Sequence, residues 1–546
     1  MSRKRDRALG MGCPIHRRDF LNGAAMSAAT VSAMTLADPS RAAPGPQDKP
    51  GYYPPTLNGI RGSQPGSFDI AHSVRDGTFW QTAEKMSDTD GVYDLVIVGA
   101  GISGLSAAHF YRTAKPNAKI LILDVHDDFG GHARRNEYHL NGKLELLNGG
   151  TELIDSPRPY SAVASGLLKT LGINPAALAK ASDNPDVYKG LGPASFFDKE
   201  TFGVDRLVVG GSGREDGETV DWKAFLAKVP LSDRAKDDML RIEAGTVDYF
   251  PGLTSAQKKD KLSRMSYLDY LSKVAKADPT TVAYYQKITH DEWGVGIDAE
   301  PALDCWGFGL PGFNGLKLEP GAIKRMGNTA AGYCENTFET FHFPDGNASI
   351  ARLLVRDLVP AAMPGHTVED IVTAVANYNA LDREGAPVRI RLSSTVVGVR
   401  NIGSPKASKG VELAYARGGH VYRVHAANCI LASWNMMIPY LCSDMPDTQK
   451  AALHELVKIP LVYTSVAIRN WHAFKALGVQ GIYAPGGFYS SCRLNWPVDI
   501  GGYTSVRSPD DPMLLFMVRT PCQPGLSEKD QHRAGRGELL GMSFED

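Results

Sequence analysis

Six consecutive residues, Gly99-Ala100-Gly101-Ile102-Ser103-Gly104, carry the clearest chemistry in this chain. Glycine at these positions works through the backbone. Gly99 permits a tight turn, Gly101 lets a pyrophosphate approach the main chain, and Gly104 lets a helix pack closely on a strand. Twenty residues after Gly104 stands Asp124, a carboxylate suited to accept hydrogen bonds from adenosine ribose hydroxyls and to repel a 2′-phosphate. The motif alone is weak, and a glycine-rich turn without a ligand is the other reading. The elements that must position it are all in order. Tyr93 to Val98 is a short apolar run expected to form a buried parallel strand. Leu105 to Arg112 reads as a helix whose N-terminus faces the phosphates, and Lys119 to Leu123 as a second strand ending at Asp124. Together they spell a dinucleotide-binding βαβ unit.

The residues that follow bear on which dinucleotide is bound. Gly130-Gly131-His132-Ala133-Arg134-Arg135 begins six positions after Asp124. Paired glycines let a chain run close to a ribityl diphosphate, and Arg134 or Arg135 can neutralise its charge. Gly149-Gly150-Thr151 then follows the strand-like Leu144 to Leu147, with the acids Glu152 and Asp155 just beyond. The series resembles the second signature of FAD-dependent amine oxidoreductases. That resemblance implies FAD, with both glycine pairs, His132 and Thr151 along its length, and Gly149 to Thr151 passing the isoalloxazine. The other readings are ordinary surface charges at Arg134 and Arg135 and a hairpin turn at Gly149-Gly150.

Composition excludes several classes. The chain has 546 residues, 43% hydrophobic and 22% charged, an ordinary globular balance. Its first 43 residues hold seven Lys/Arg against three Asp, so the remainder is mildly acidic with no basic stripe. Nucleic acid is therefore not expected as a partner. No later segment approaches the roughly 18 apolar residues of a membrane span. His16-Arg17-Arg18-Asp19-Phe20-Leu21 and the Ala-rich stretch to Ala37 resemble a twin-arginine signal, which implies export of a folded protein to the periplasm; a disordered basic tail is the alternative. Beyond Cys13, six cysteines are scattered without metal-ligand spacing, so no metal site is expected and no disulfide pairing follows.

Nucleotide-fold character returns late in the chain. Phe343-Pro344-Asp345-Gly346-Asn347 leads into the helix-like Ala348 to Leu358. Val388 to Leu392, Thr395 to Val399, and two runs between Val421 and Ala432 read as strands. The expected class is therefore α/β, a Rossmann-like FAD/NAD(P)-binding fold assembled from discontinuous segments, 91–155 and 341–440. An α+β substrate or cap domain is expected from 156–340 and 441–546. Residues 1–43 are the signal, and 44–90 an ordered extension or linker.

Tyr52-Tyr53-Pro54-Pro55, Gly66-Ser67-Phe68, Phe343 to Ala348, Ser433 to Leu441 and Val518 to Gly525 resemble the bacterial spermidine dehydrogenases. The resemblance spans about residues 50 to 525. It implies FAD-dependent oxidation of a polyamine next to nitrogen, an external electron acceptor, and a backbone edge near Val397 facing the adenine. It also implies haem b as a further group, although no spacing here marks a haem site. His132, His290 and His342 read more readily as structural. In that family a C-terminal strand–turn–helix closes the flavin site. None is recognisable before Asp546, so the chain reads as shortened, and a non-catalytic dinucleotide binder stands as an alternative, beside an FAD amine oxidase or desaturase-like enzyme acting on another substrate. Glu152 and Asp155 are the expected substrate-positioning acids, with capping or salt-bridged roles as the other reading. His290-Asp291-Glu292-Trp293, Asp298, Glu300, Asp304 and Trp306 mix acids and indoles in a way that suits a polyamine, or else form a solvated loop.

Overall fold

The computed structural model describes residues 42–57, 68–155, 160–182, 184, 186–211, 221–334 and 340–542. The twin-arginine segment lies outside them. A six-stranded sheet forms the nucleotide fold, in the order Thr395–Asn401, Val411–Arg417, His420–Leu431, Ser87–Val98, Ile120–Leu123, Val388–Arg391. The last four strands run parallel, so their carboxyl ends share one edge. Parallel strands are covered on both faces, which explains the unbroken apolar runs: Leu95, Val96, Ile97 and Ile120 to Leu123 are fully buried. Helix Ile102–Ala114 makes the crossover, and helix Ala348–Leu358 packs beside it.

One expectation is corrected in this sheet. The segment from Val421 to Ala432 is a single 12-residue strand, His420–Leu431, where two were expected. On one side its residues 420–426 pair antiparallel with Val411–Arg417, and on the other its residues 422–431 pair parallel with Ser87–Val98, so one strand joins the two pairing modes. A second six-stranded sheet runs Val462–Ile468, Met513–Arg519, Ser491–Leu494, Val479–Tyr483, Gly192–Phe197, Arg206–Val209. It combines strands from before and after the late nucleotide-fold segment. Helices from Trp222 to Tyr333 cover it around an aromatic core in which Tyr270 and Phe313 stack at 4.7 Å. Ser232 caps helix Asp233–Ala244 through the Ala235 N–H, and Tyr267 to Val274 passes from α into π geometry, with the Ala275 N–H reaching back to the Tyr270 carbonyl.

The hairpin near the site is not at Gly149-Gly150. Strands Arg135–Leu140 and Lys143–Asn148 are joined by Asn141-Gly142, both at positive φ, the two-residue turn that matches strand twist. Residues 42–57 pack on the nucleotide fold: Gln47 is buried and bonds both the Ile390 carbonyl and the Leu392 N–H. No disulfide links the described cysteines. Among the described residues no single helix is long and apolar enough to cross a membrane.

Asp382 anchors the edge strand Val388–Arg391. Its carboxylate takes Arg389 Nε at 2.6 Å and Arg391 Nε at 2.7 Å, with Arg417 at 3.5 Å, and these guanidiniums hold it below the usual carboxylate range against the opposing effect of burial. Removing one partner of a buried ion cluster strands the others, at about 3–5 kcal/mol. Asp382→Asn is expected to lower unfolding free energy by about that much in denaturant titration; a loss within about 0.5 kcal/mol contradicts this account.

Candidate dinucleotide site

Three glycine loops converge at the carboxyl edge of the parallel strands. Gly99 has φ +110°, and a Cβ there would strike the Ala432 carbonyl. Its N–H donates to Leu123 at 2.7 Å. A Cβ on Gly104 would collide with the Gly99 carbonyl and lie 3.2 Å from Ile97, which is how helix and strand approach so closely. Gly101 differs, because the nearest protein atom to a Cβ there is Gly131 Cα at 3.7 Å, an ordinary contact. A Cβ at Gly101 would meet no clash within the protein, so close packing of the chain on itself does not require glycine there. Among the described residues no side chain caps helix Ile102–Ala114, so its first N–H groups also lack side-chain acceptors there.

The second and third loops extend the same cradle. Gly130 donates to the Ala100 carbonyl at 2.8 Å and bridges to Gly101, while Gly130 and Gly131 both hold positive φ. A Cβ on Gly150 would strike the His132 carbonyl, which accepts the Thr151 N–H at 2.8 Å. Gly149 donates to the Arg134 carbonyl at 2.7 Å. The backbone thus runs continuously from the first turn past His132 to Thr151, with glycine wherever the loops touch.

Asp124 closes the second strand and is nearly buried. Its Oδ2 accepts the Ala100 N–H at 2.6 Å and its Oδ1 the His126 N–H at 2.8 Å. It therefore braces the glycine turn, and only the remaining lone pairs of the carboxylate are left for a further donor. Val397 lies where the register slips, between Val396 paired with Tyr415 and Gly398 paired with Ala414, so it has no partner residue across the ladder. A bulge of this kind leaves backbone groups for another partner.

The two arginines part company. Arg135 is 3% exposed, with Nε on Glu137 at 2.9 Å and Nη1 on Asp345 at 3.1 Å and on the Val372 carbonyl. The expectation that it neutralises a diphosphate is corrected: it is a core cation fastening the second glycine loop to the Asp345 turn. Arg134 is half-buried, and its side chain makes no hydrogen bond or ion pair among the described residues. Sequence reading missed Lys458, whose ammonium lies 3.2 Å from His132 Nε2, and Arg536, stacked 3.7 Å from the Trp434 ring centre. Neither lies in a recognisable motif.

The acids separate similarly. Glu152 is ion-paired with Arg493, so its charge is compensated. Asp155 pairs through its backbone with Thr340, and its side chain lies outside the described residues. Asp298 is taken by Gln286, Gly525 and Gln531, and Asp304 by the Gly327 N–H. Glu300 and Asp304 are buried in the cap interior, whereas Asp291 stays exposed. Asp291 and Glu292 instead act, with Glu152, on Tyr463, whose hydroxyl is pushed up to about 12 by burial first and by those carboxylates next. Tyr463 packs 5.1 Å from Phe516. His132 meets Lys458, His290 Nε2 lies near Cys522, and His342 Nδ1 is held at the Phe343 carbonyl, an arrangement that gives a haem no support. Among the described residues no group of three His, Cys, Asp or Glu side chains could hold a metal.

Residues 97–171 match the model of the NAD(P)-binding Rossmann-like domain family. The chain carries a Rossmann-like dinucleotide-binding fold. No curated protein matches it. Solved structures of similar outline include putrescine oxidase bound to putrescine, at 14% identity, 84% coverage of this chain and 83% of that one, TM-score 0.42. Another is a protein described as a protoporphyrinogen oxidase from Exiguobacterium sp. 255-15, at 15% identity, 83% and 84% coverage, TM-score 0.44. Likenesses this distant carry no weight for function.

Two outcomes are expected. Arg135→Met should lose about 3–5 kcal/mol of stability by stranding Glu137 and Asp345, whereas Arg134→Met should stay within about 0.5 kcal/mol and lose ADP affinity instead; equal effects on melting would contradict the division. Glu300 is pushed up to about 9, by burial first and then by Asp304, Glu528 and Glu292. The folded state thus keeps a proton that the unfolded chain releases near about pH 4.3, so stability should fall as pH rises from about 5 to about 9. Glu300→Gln should flatten that fall in thermal melts, and an unchanged pH profile would rule the account out.

Proposed function

We propose that this protein binds FAD and oxidises an amine of the polyamine class at the carbon next to nitrogen. One observation carries the reading: the glycine cradle does not stop at the first turn but continues through Gly130-Gly131 to Gly149-Gly150-Thr151. A cradle of that length suits a cofactor whose ring lies well beyond its diphosphate. It ends beside Glu152 and Arg493, close to the Tyr463 wall. A bound flavin supplies the two-electron acceptor for hydride from the substrate α-carbon. The protein's part is binding and placement. Tyr463 and Phe516 offer an apolar wall to methylenes, and Asp291 and Glu292 offer negative charge to ammonium groups. The Glu152–Arg493 pair fixes the chain just past Thr151. The oxidised substrate hydrolyses to an aldehyde and an amine. Export by the twin-arginine route and an external electron acceptor belong to the same proposal.

Flavin absorbance of the purified protein and its anaerobic bleaching by spermidine test the reading; a colourless protein, or an oxidised band indifferent to amines, would sink it. Asp291→Asn and Glu292→Gln should each raise KM for spermidine about ten-fold with little change in kcat, because charge attraction acts on substrate and transition state alike. An equal fall in kcat would argue for a different role.

A further inference from the structure

Three cations stand at the crevice without an acidic partner among the described residues. Arg134 follows the second glycine pair. Lys458 meets the same loop at His132. Arg536 projects from helix Glu528–Gly541 onto Trp434, and its Nε is buried with no acceptor. Trp434 lies two residues past Ala432, whose carbonyl abuts Gly99, and the intervening Ser433 Oγ is also buried and unpartnered. The neighbouring arginines are compensated. Arg533, on the same helix, pairs with Asp530 and Glu455, and Arg519 with Glu538. On helix Glu528–Gly541, then, Lys529 and Arg533 are paired with acids, whereas Arg536 meets Trp434 and no acid among the described residues.

Burial lowers Arg536 to about 10, and burial followed by Arg536 itself lowers Lys458. Gathering half-buried like charges is unfavourable unless an anion enters between them. The first helical N–H groups at Ile102 point positive potential at the same place.

We propose that Lys458 and Arg536 are anion-binding residues of the dinucleotide site, clamping with Arg134 the diphosphate of the cofactor. This rests on the dinucleotide reading above. It assigns two binding residues from parts of the chain more than 300 residues beyond the glycine motif.

Calorimetric titration of the whole chain with ADP tests it, with adenosine as the uncharged probe. Lys458→Gln and Arg536→Gln should each weaken ADP about ten-fold or more and leave adenosine binding unchanged, since each removes one charge-assisted contact to phosphate. Arg536→Lys should recover part of the loss, and Arg533→Gln should behave as wild type. Each residue is judged by its own variant: wild-type ADP affinity in Lys458→Gln or Arg536→Gln overturns that residue's assignment. If Arg536→Gln fails to fold in a thermal melt, Arg536→Lys and Lys458→Gln carry the test. A wild-type chain that binds neither ADP nor FAD overturns the dinucleotide reading instead.

Discussion

Close backbone approach is the constraint on which this structure depends. Gly99 abuts Ala432, Gly104 abuts the Gly99 carbonyl, and Gly150 abuts the His132 carbonyl, each at a separation no Cβ would permit. Where loops meet without side chains, main-chain N–H groups line the surface, and the surface becomes a site for anions. The parallel strands hold those loops at one edge because their carboxyl ends coincide, the position at which open α/β sheets bind ligands. Displacing any one loop would separate the others.

Charge does the fastening. Arg135 ties the second glycine loop to Asp345 and, through it, to the helix that packs against Ile102–Ala114. Asp382 gathers three guanidiniums and secures the outer parallel strand. In both clusters the charged groups are turned toward one another, which makes them expensive to break. The crevice cations are the opposite case. They are held by rings and by His132 in place of carboxylates, so their potential remains available to an anion.

Much of this was legible in the residues. The βαβ unit from Tyr93 to Asp124 forms as its periodicity implies, since pattern, turn residues and helix start are all local. The late strands near Val388 and Thr395 were legible for the same reason. The division between Arg134 and Arg135 was not. Arg134 stands just before the strand that Arg135 opens, and only the placement of Asp345, 210 positions away, decides which of the two is core. The acids of the cap were equally ambiguous, because composition does not say that Asp298 is taken by Gln531 or that Glu300 is buried.

The sequence by itself determined the glycine turns, the strand–helix–strand order and the acid that closes it, because these depend on neighbours within a few tens of residues. Only the tertiary structure decided which charges are spent on the core and which face the crevice. The physical reason is that ionic pairing is settled by distances of a few ångströms between segments hundreds of residues apart. The chain order of Arg134, Trp434, Lys458 and Arg536 contains no trace of their meeting.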